Sequence, residues 1–198
     1  MQEAPAVLRG RTAAVAGASS RLALPVATAL ATLGATTVVL VPDAASTRTG
    51  QRLSAWPCDL TDPAAVSAAL HVLRPLDVFA GIVTSAPGGE HGATAVHQEA
   101  VDAAMRLALL AAHHCRRPGG TVLTVAASPA LHDPVDRLTR SLAASWRGRG
   151  LRVNGLVGVP GDAGLLRALA LLAVDGATES GRTIALGDEG LRAPVAGA

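Results

Sequence analysis

The chain has 198 residues, 49% hydrophobic and 16% charged, which suits one domain with a sizeable core and excludes a disordered chain. The formal charge is +2, the basic residues are scattered and aromatics make up 2%, so no basic stripe with interleaved aromatics marks a nucleic-acid interface. All 17 basic residues are arginine; the absence of lysine removes Schiff-base and amine-base chemistry.

"TAAVAG" (12–17) reads as a buried strand, and "LALPVATALATLGA" (22–35) has helical spacing that stops at Gly34. Pro25 belongs in a first helical turn, which places the helix start near Leu22 to Leu24. "TTVVLV" (36–41) is a second strand closed by Pro42, and 53–60 holds a third. Only about ten Ser/Thr/Gly-rich residues join them, fewer than a parallel crossover uses, so the helix there is expected to be reduced or absent. Asp62 and Pro63 open a helix over 61–73 as N-cap and first helical residue. A strand follows at 77–86, a long helix at 94–115 and a strand at 120–127. Asp133 and Pro134 open a helix over 133–150 with Asp133 as N-cap; a strand at 151–159, a helix at 163–174 and a short strand at 182–187 complete the pattern. Residues 188–198 are expected as a flexible tail on a single domain spanning 1–198.

Alternation of strands and helices gives an α/β fold with a mainly parallel twisted sheet of about seven strands. The apolar run at 165–174 is too short to cross a bilayer and carries Arg167, and residues 1–11 lack an apolar signal core, so no membrane partner is expected. Cys58 and Cys115 lack CxxC spacing and are expected as free thiols in a cytoplasmic protein.

Several stretches together carry a resemblance. "AVAGASSRLALPVATALATLGATTVVLV" is similar to the glycine-rich loop, first helix and second strand of the short-chain dehydrogenase/reductase family, and "CDLTDPAAV" to its adenine-contacting acidic segment. "LTRSLAASWRGRGLRVNGLVGVPG" resembles its later helix, "RVN" strand and Pro-Gly. The resemblance implies a Rossmann-like three-layer domain, with cofactor-binding positions at Gly17, Ser19, Ser20, Arg21 and Asp59.

The departures bear on chemistry. The family loop TGxxxGxG reads Ala16 and Gly17, then Arg21 and Ala23 where the second and third glycines stand. Arg21 puts bulk where phosphates would lie, or a charge to pair with them. A later helix start would also move its positive end away from that position. Asp43 lies one place beyond a ribose-binding position and reads as a turn residue. The "NNAG" segment corresponds to Thr84, Ser85, Ala86 and Pro87, and the family serines to Ala126 and Ala127. The tyrosine position holds Ser128 and the lysine position His132. The family's reduction needs a phenol to pass a proton and a cation to lower its pKa, and a chain without Tyr or Lys cannot supply them in any alignment.

Ser128 and His132 admit two readings: a nucleophile–base pair oriented by Asp133 or Asp136, or residues of a helix start preceded by a loop. His113, His114 and Cys115 are consecutive on a helix and point about 100° apart, so they do not form a metal site. His91 and His97 flank a Gly-rich loop, and His71 reads as a helix-surface residue.

Three functions are open. The first is a protein on this scaffold that has lost NAD(P)-dependent hydride transfer, with NAD(P) absent or weakly bound. It would act as a non-catalytic subunit or bind a small apolar metabolite, as a homodimer or a heteromer with a related reductase through helices 94–115 and 133–149. The second is a non-redox cyclase, dehydratase or isomerase using His132, His91, Asp133 or Cys115 in a cleft lined by Thr84, Ser85, Ser128 and Val159. The third is an atypical NAD(P)-dependent oxidoreductase.

Overall fold

The structure is a computed structural model that describes residues 6–17, 20–43, 50–83, 93–158, 162–173, 180–187 and 190–192. In chain order the elements are β1 (Thr12–Ala16), α1 (Ser20–Thr32), β2 (Thr36–Val41), β3 (Leu53–Pro57), α2 (Pro63–Leu73), β4 (Val78–Val83), α3 (Ala93–Ala112), β5 (Thr121–Ala126), α4 (His132–Trp146), β6 (Arg152–Val157), α5 (Asp162–Ala173), β7 (Thr183–Gly187) and β8 (Gly190–Arg192).

The strands form one sheet in the order β3-β2-β1-β4-β5-β6-β7-β8, parallel except for β8. Every residue of β4 and β5 is buried, because helices cover both faces; such strands read as unbroken apolar runs. Alternate residues still part to opposite sides. Phe79, Val122 and Val153 pack under α2, α3 and α4 with Leu70, Leu107 and Trp146. Ala80, Leu123 and Leu156 pack under α1 and α5 with Leu30 and Leu169. Small and branched side chains thus do the work that aromatics do elsewhere.

The chain runs outward through β1, β2 and β3, then returns to place β4 beside β1. Folds of this kind bind ligands outside the C-terminal strand ends at such a reversal. The opposite edge is tied by Asp77, which is buried and accepts from Arg11 Nη1 at 3.0 Å, Arg116 Nε at 2.6 Å and the Thr12 amide at 2.8 Å.

Asp62 caps α2 as expected, accepting from the Ala64 amide at 2.8 Å. No helix joins β2 to β3 among the described residues there; Gly50 and Leu53 exchange backbone hydrogen bonds, and 44–49 lie outside the described residues. Several boundaries differ from the sequence reading. Helix α1 opens at Ser20 and carries Pro25 inside. A proline there removes one N–H and leaves one early carbonyl, that of Arg21, without its intrahelical bond, a loss that packing against β1 and β2 offsets. Helix α4 opens at His132, with Leu131 and not Asp133 at the N-cap. Pro129 starts a 3-10 turn over Pro129–Leu131 that feeds straight into the helix, and Pro134 still falls in the first turn, where its missing N–H costs nothing. Within the expected tail, Gly190–Arg192 pairs antiparallel with β7, covering an otherwise open edge. Among the described residues, no helix is long and apolar enough to cross a membrane.

Candidate functional site

Among the described residues, the C-terminal strand ends carry Gly17, Asp43, Asp59, Ala126 and Ser128. At the end of β1, the Gly17 amide donates to the Leu40 carbonyl at 3.2 Å. A methyl group on Gly17 would lie 3.0 Å from Ile82 Cβ and 3.1 Å from Ala23 Cβ, so β4 and α1 would have to give by a few tenths of an ångström to admit it. With α1 starting at Ser20, the positive helix end stays beside the end of β1. This corrects the later start expected from Pro25. Ser19 lies outside the described residues, as do the side chains of Ser20 and Arg21.

Asp59 follows β3 on the same edge. Its Oδ1 accepts from Thr61 Oγ1 at 2.7 Å and from the Thr61 amide at 2.9 Å. The hydroxyl bond first, and the amide bond second, hold its carboxyl below the usual range, so Asp59 is an anion and an acceptor at neutral pH. Asp43 is exposed just beyond Pro42 at the end of β2.

Ser128 is half-buried after β5 and caps the 3-10 turn with its backbone only: its carbonyl accepts from the Leu131 amide at 3.0 Å, and its side chain makes no capping bond. His132 Nδ1 lies 3.2 Å from Asp133 Oδ1, with the two side chains 43% and 86% exposed. The structure therefore joins the imidazole to a carboxylate and does not join Ser128 to the imidazole by a hydrogen bond. Because α4 begins at His132, Ser128 precedes the helix, and the spacing of four does not place both on one helical face. Asp136 is engaged elsewhere, in an ion pair with Arg140. Ala126 closes β5 as a buried residue.

The other candidates sit apart. Leu76 bridges Cys115 at the strand-start edge, away from the cleft, and burial pushes the Cys115 thiol up to about 12. It is therefore a protonated core residue and not an acid–base group. His114 is buried there, its Nε2 3.3 Å from Ser67 Oγ, while His113 and His71 are exposed. Among the described residues, no group of three or more His, Cys, Asp or Glu could hold a metal ion. Thr84, Ser85, Ala86, Pro87, His91 and Val159 lie outside the described residues, as does the side chain of His97.

The sequence reading missed a cavity of about 270 Å³ between α2 and α3, floored by the end of β4. Its walls include Leu60, Pro63, Val83, Ala100, Leu107 and Leu110, with Arg106 on the rim. The signal that could have found it is the pair Ala100 and Ala103. These small residues stand on one flank of α3 beside the larger Leu107 and Leu110, leaving space against α2.

This architecture is the fold of short-chain dehydrogenases/reductases. The chain superposes on a short-chain dehydrogenase from Mycobacterium smegmatis with a TM-score of 0.75 at 19% identity, covering 96% of each chain. It superposes on a short-chain dehydrogenase/reductase from Serratia marcescens at 0.72 and 18%, covering 90% of this chain and 97% of that one. A citronellol catabolism dehydrogenase from Pseudomonas aeruginosa gives 0.71 and 17%, covering 91% and 95%. No family model and no curated protein sequence matches the chain.

The described residues suit a nicotinamide dinucleotide at one end only. The start of α1 can face a diphosphate and the Asp59 carboxylate can accept from an amino group. At the reacting end the chain has neither phenol nor ammonium to offer.

Proposed function

We propose that this protein binds a small metabolite at the strand-end cleft and does not transfer hydride. Supporting this is a single combination: the dehydrogenase/reductase fold in a chain with no Tyr and no Lys, where Ser128 and His132 stand at the aligned positions without a bond between them. NAD(P) is absent or weakly held on this reading, since only the adenine and diphosphate contacts remain. Two buried free thiols, Cys58 and Cys115, fit a reducing compartment such as the cytoplasm.

The test is a thermal-shift titration with NAD, NADH, NADP and NADPH, paired with absorbance at 340 nm in the presence of carbonyl substrates. A ligand at a hundred times its Kd stabilises by about 2.7 kcal/mol, or roughly 5–10 °C for a domain of this size. No shift, or a weak one, and flat absorbance are expected; steady NADH or NADPH oxidation with a ketone would overturn the reading.

A second reading, a non-catalytic subunit, is favoured by Met105 and Leu109. They are 42% and 40% exposed and one turn apart on α3. Together with α4 they would form the contact with a second copy or a related reductase. Met105→Glu with Leu109→Glu should then convert a dimer to a monomer in light scattering; a wild-type monomer that captures no reductase excludes this reading.

A further inference from the structure

We propose that the cavity between α2 and α3 takes a small apolar molecule bearing one carboxylate, with Arg106 as its counter-ion. The inference rests on the binding reading above and names the ligand class.

The size comes first. At roughly 30 Å³ per water-sized group, about 270 Å³ holds some nine non-hydrogen atoms, a molecule far smaller than a dinucleotide. The chemistry of the walls comes next. Leu60, Ile82, Val83, Leu107 and Leu110 offer no polar group, so the body of the ligand is apolar. Among the described lining residues Thr61 carries the hydroxyl, and its proton is already given to Asp59.

The charge decides the remaining end. Arg106 makes no hydrogen bond or ion pair with any described residue. Asp102, one turn earlier on α3 and the natural partner, accepts instead from Gln98 Nε2 at 2.9 Å. A guanidinium at the rim of an apolar cavity matches a carboxylate, which it can hold by two parallel bonds. Asp59 and Asp62, both exposed carboxylates, flank the lining residues Leu60, Thr61 and Pro63 in the chain. They repel an anion, so the ligand's charge points to Arg106 and its tail toward Thr61 and Val83.

The probes are octanoate and 1-octanol, titrated calorimetrically against the wild-type protein, Arg106→Gln and Ala103→Trp. Octanoate should bind saturably to the wild type and about fivefold more weakly to Arg106→Gln, the ordinary worth of a partly exposed ion pair. Octanol should not distinguish the two. Ala103 is half-buried on the cavity wall, and a tryptophan there should abolish binding of both probes while circular dichroism and melting temperature stay unchanged. Octanoate that fails to bind, binds Arg106→Gln as well as wild type, or binds a folded Ala103→Trp as well as wild type overturns this inference alone. Turnover at 340 nm overturns the loss of hydride transfer instead.

Discussion

Gly158 closes β6 on the rim of the cleft, and replacing it by alanine is the most severe small change available at this edge. Its φ is +131°, outside the range L side chains adopt readily. Its amide donates to the Ala126 carbonyl at 2.9 Å, which fixes it against β5. A methyl group added there would lie 2.2 Å from the Leu186 carbonyl oxygen and 3.2 Å from Leu186 Cβ. Two costs combine: about 1–3 kcal/mol for the strained backbone, and a displacement of β7 that cannot occur without disturbing its pairing with β6. A total loss of about 3 kcal/mol or more is expected, a fall of roughly 6–12 °C in Tm. Gly164→Ala is the internal control. Gly164 lies in α5 with no atom within 4 Å of an added methyl and without a positive φ, so alanine should stabilise by about 0.5–1 kcal/mol. Calorimetric melting of both variants reads opposite signs. Gly158→Ala melting within a degree of the parent would show that β6 and β7 do not approach as described.

Three further outcomes are expected. Burial first, then Arg74, His71 and His113, lower the His114 pKa from its ordinary 6.5, and its Nδ1 is buried without a partner. The unfolded chain therefore binds a proton that the folded chain resists. Stability is full above pH 6.5 and falls as pH drops through it, and His114→Gln should flatten that slope in urea titrations by up to about 1.4 kcal/mol per pH unit; an unchanged slope counts against it. Cys115, with its thiol at about 12, should resist iodoacetamide at pH 7.5 in the native protein and react only on unfolding; mass spectrometry of the native protein showing rapid alkylation there would contradict its burial. Asp77→Ala should cost about 2–3 kcal/mol in urea unfolding, because the Thr12 amide loses its acceptor while Arg11 and Arg116 can turn to water; Asp77→Asn should recover part of this, and a neutral Asp77→Ala would remove the clamp from the account.

Most of the fold was legible in the sequence because each element announced itself twice, by its own period and by its boundaries. The apolar runs from β1 to β7 and the Asp62–Pro63 start of α2 needed no tertiary information. The errors fall where two local signals compete. Pro25 argued for a late start to α1, yet the helix opens at Ser20 with Pro25 inside it. "SP" and "DP" both signalled a start near α4, and the chain used the first for a 3-10 turn and ran on into the helix. Strand β8 is three residues long and owes its order to β7, a dependence no local pattern carries.

The site was less legible than the fold for a reason that also bears on function. A glycine at the end of β1 is easily taken as a cradle for phosphate. Here its missing side chain also lets Ile82 and Ala23 approach closely, so packing gives the glycine a second use whatever the cleft holds. The same holds for the strand ends and the start of α1: they stay in place because the sheet and helices must pack, whatever the cleft contains. Proton transfer has no such structural support. It needs two particular side chains, and α4 begins too late to place Ser128 and His132 on one helical face. A fold can therefore keep its geometry whatever chemistry its side chains perform. The groups that packing does not explain are the more informative ones, and Arg106, a cation at an apolar cavity with no ion pair among the described residues, is such a group.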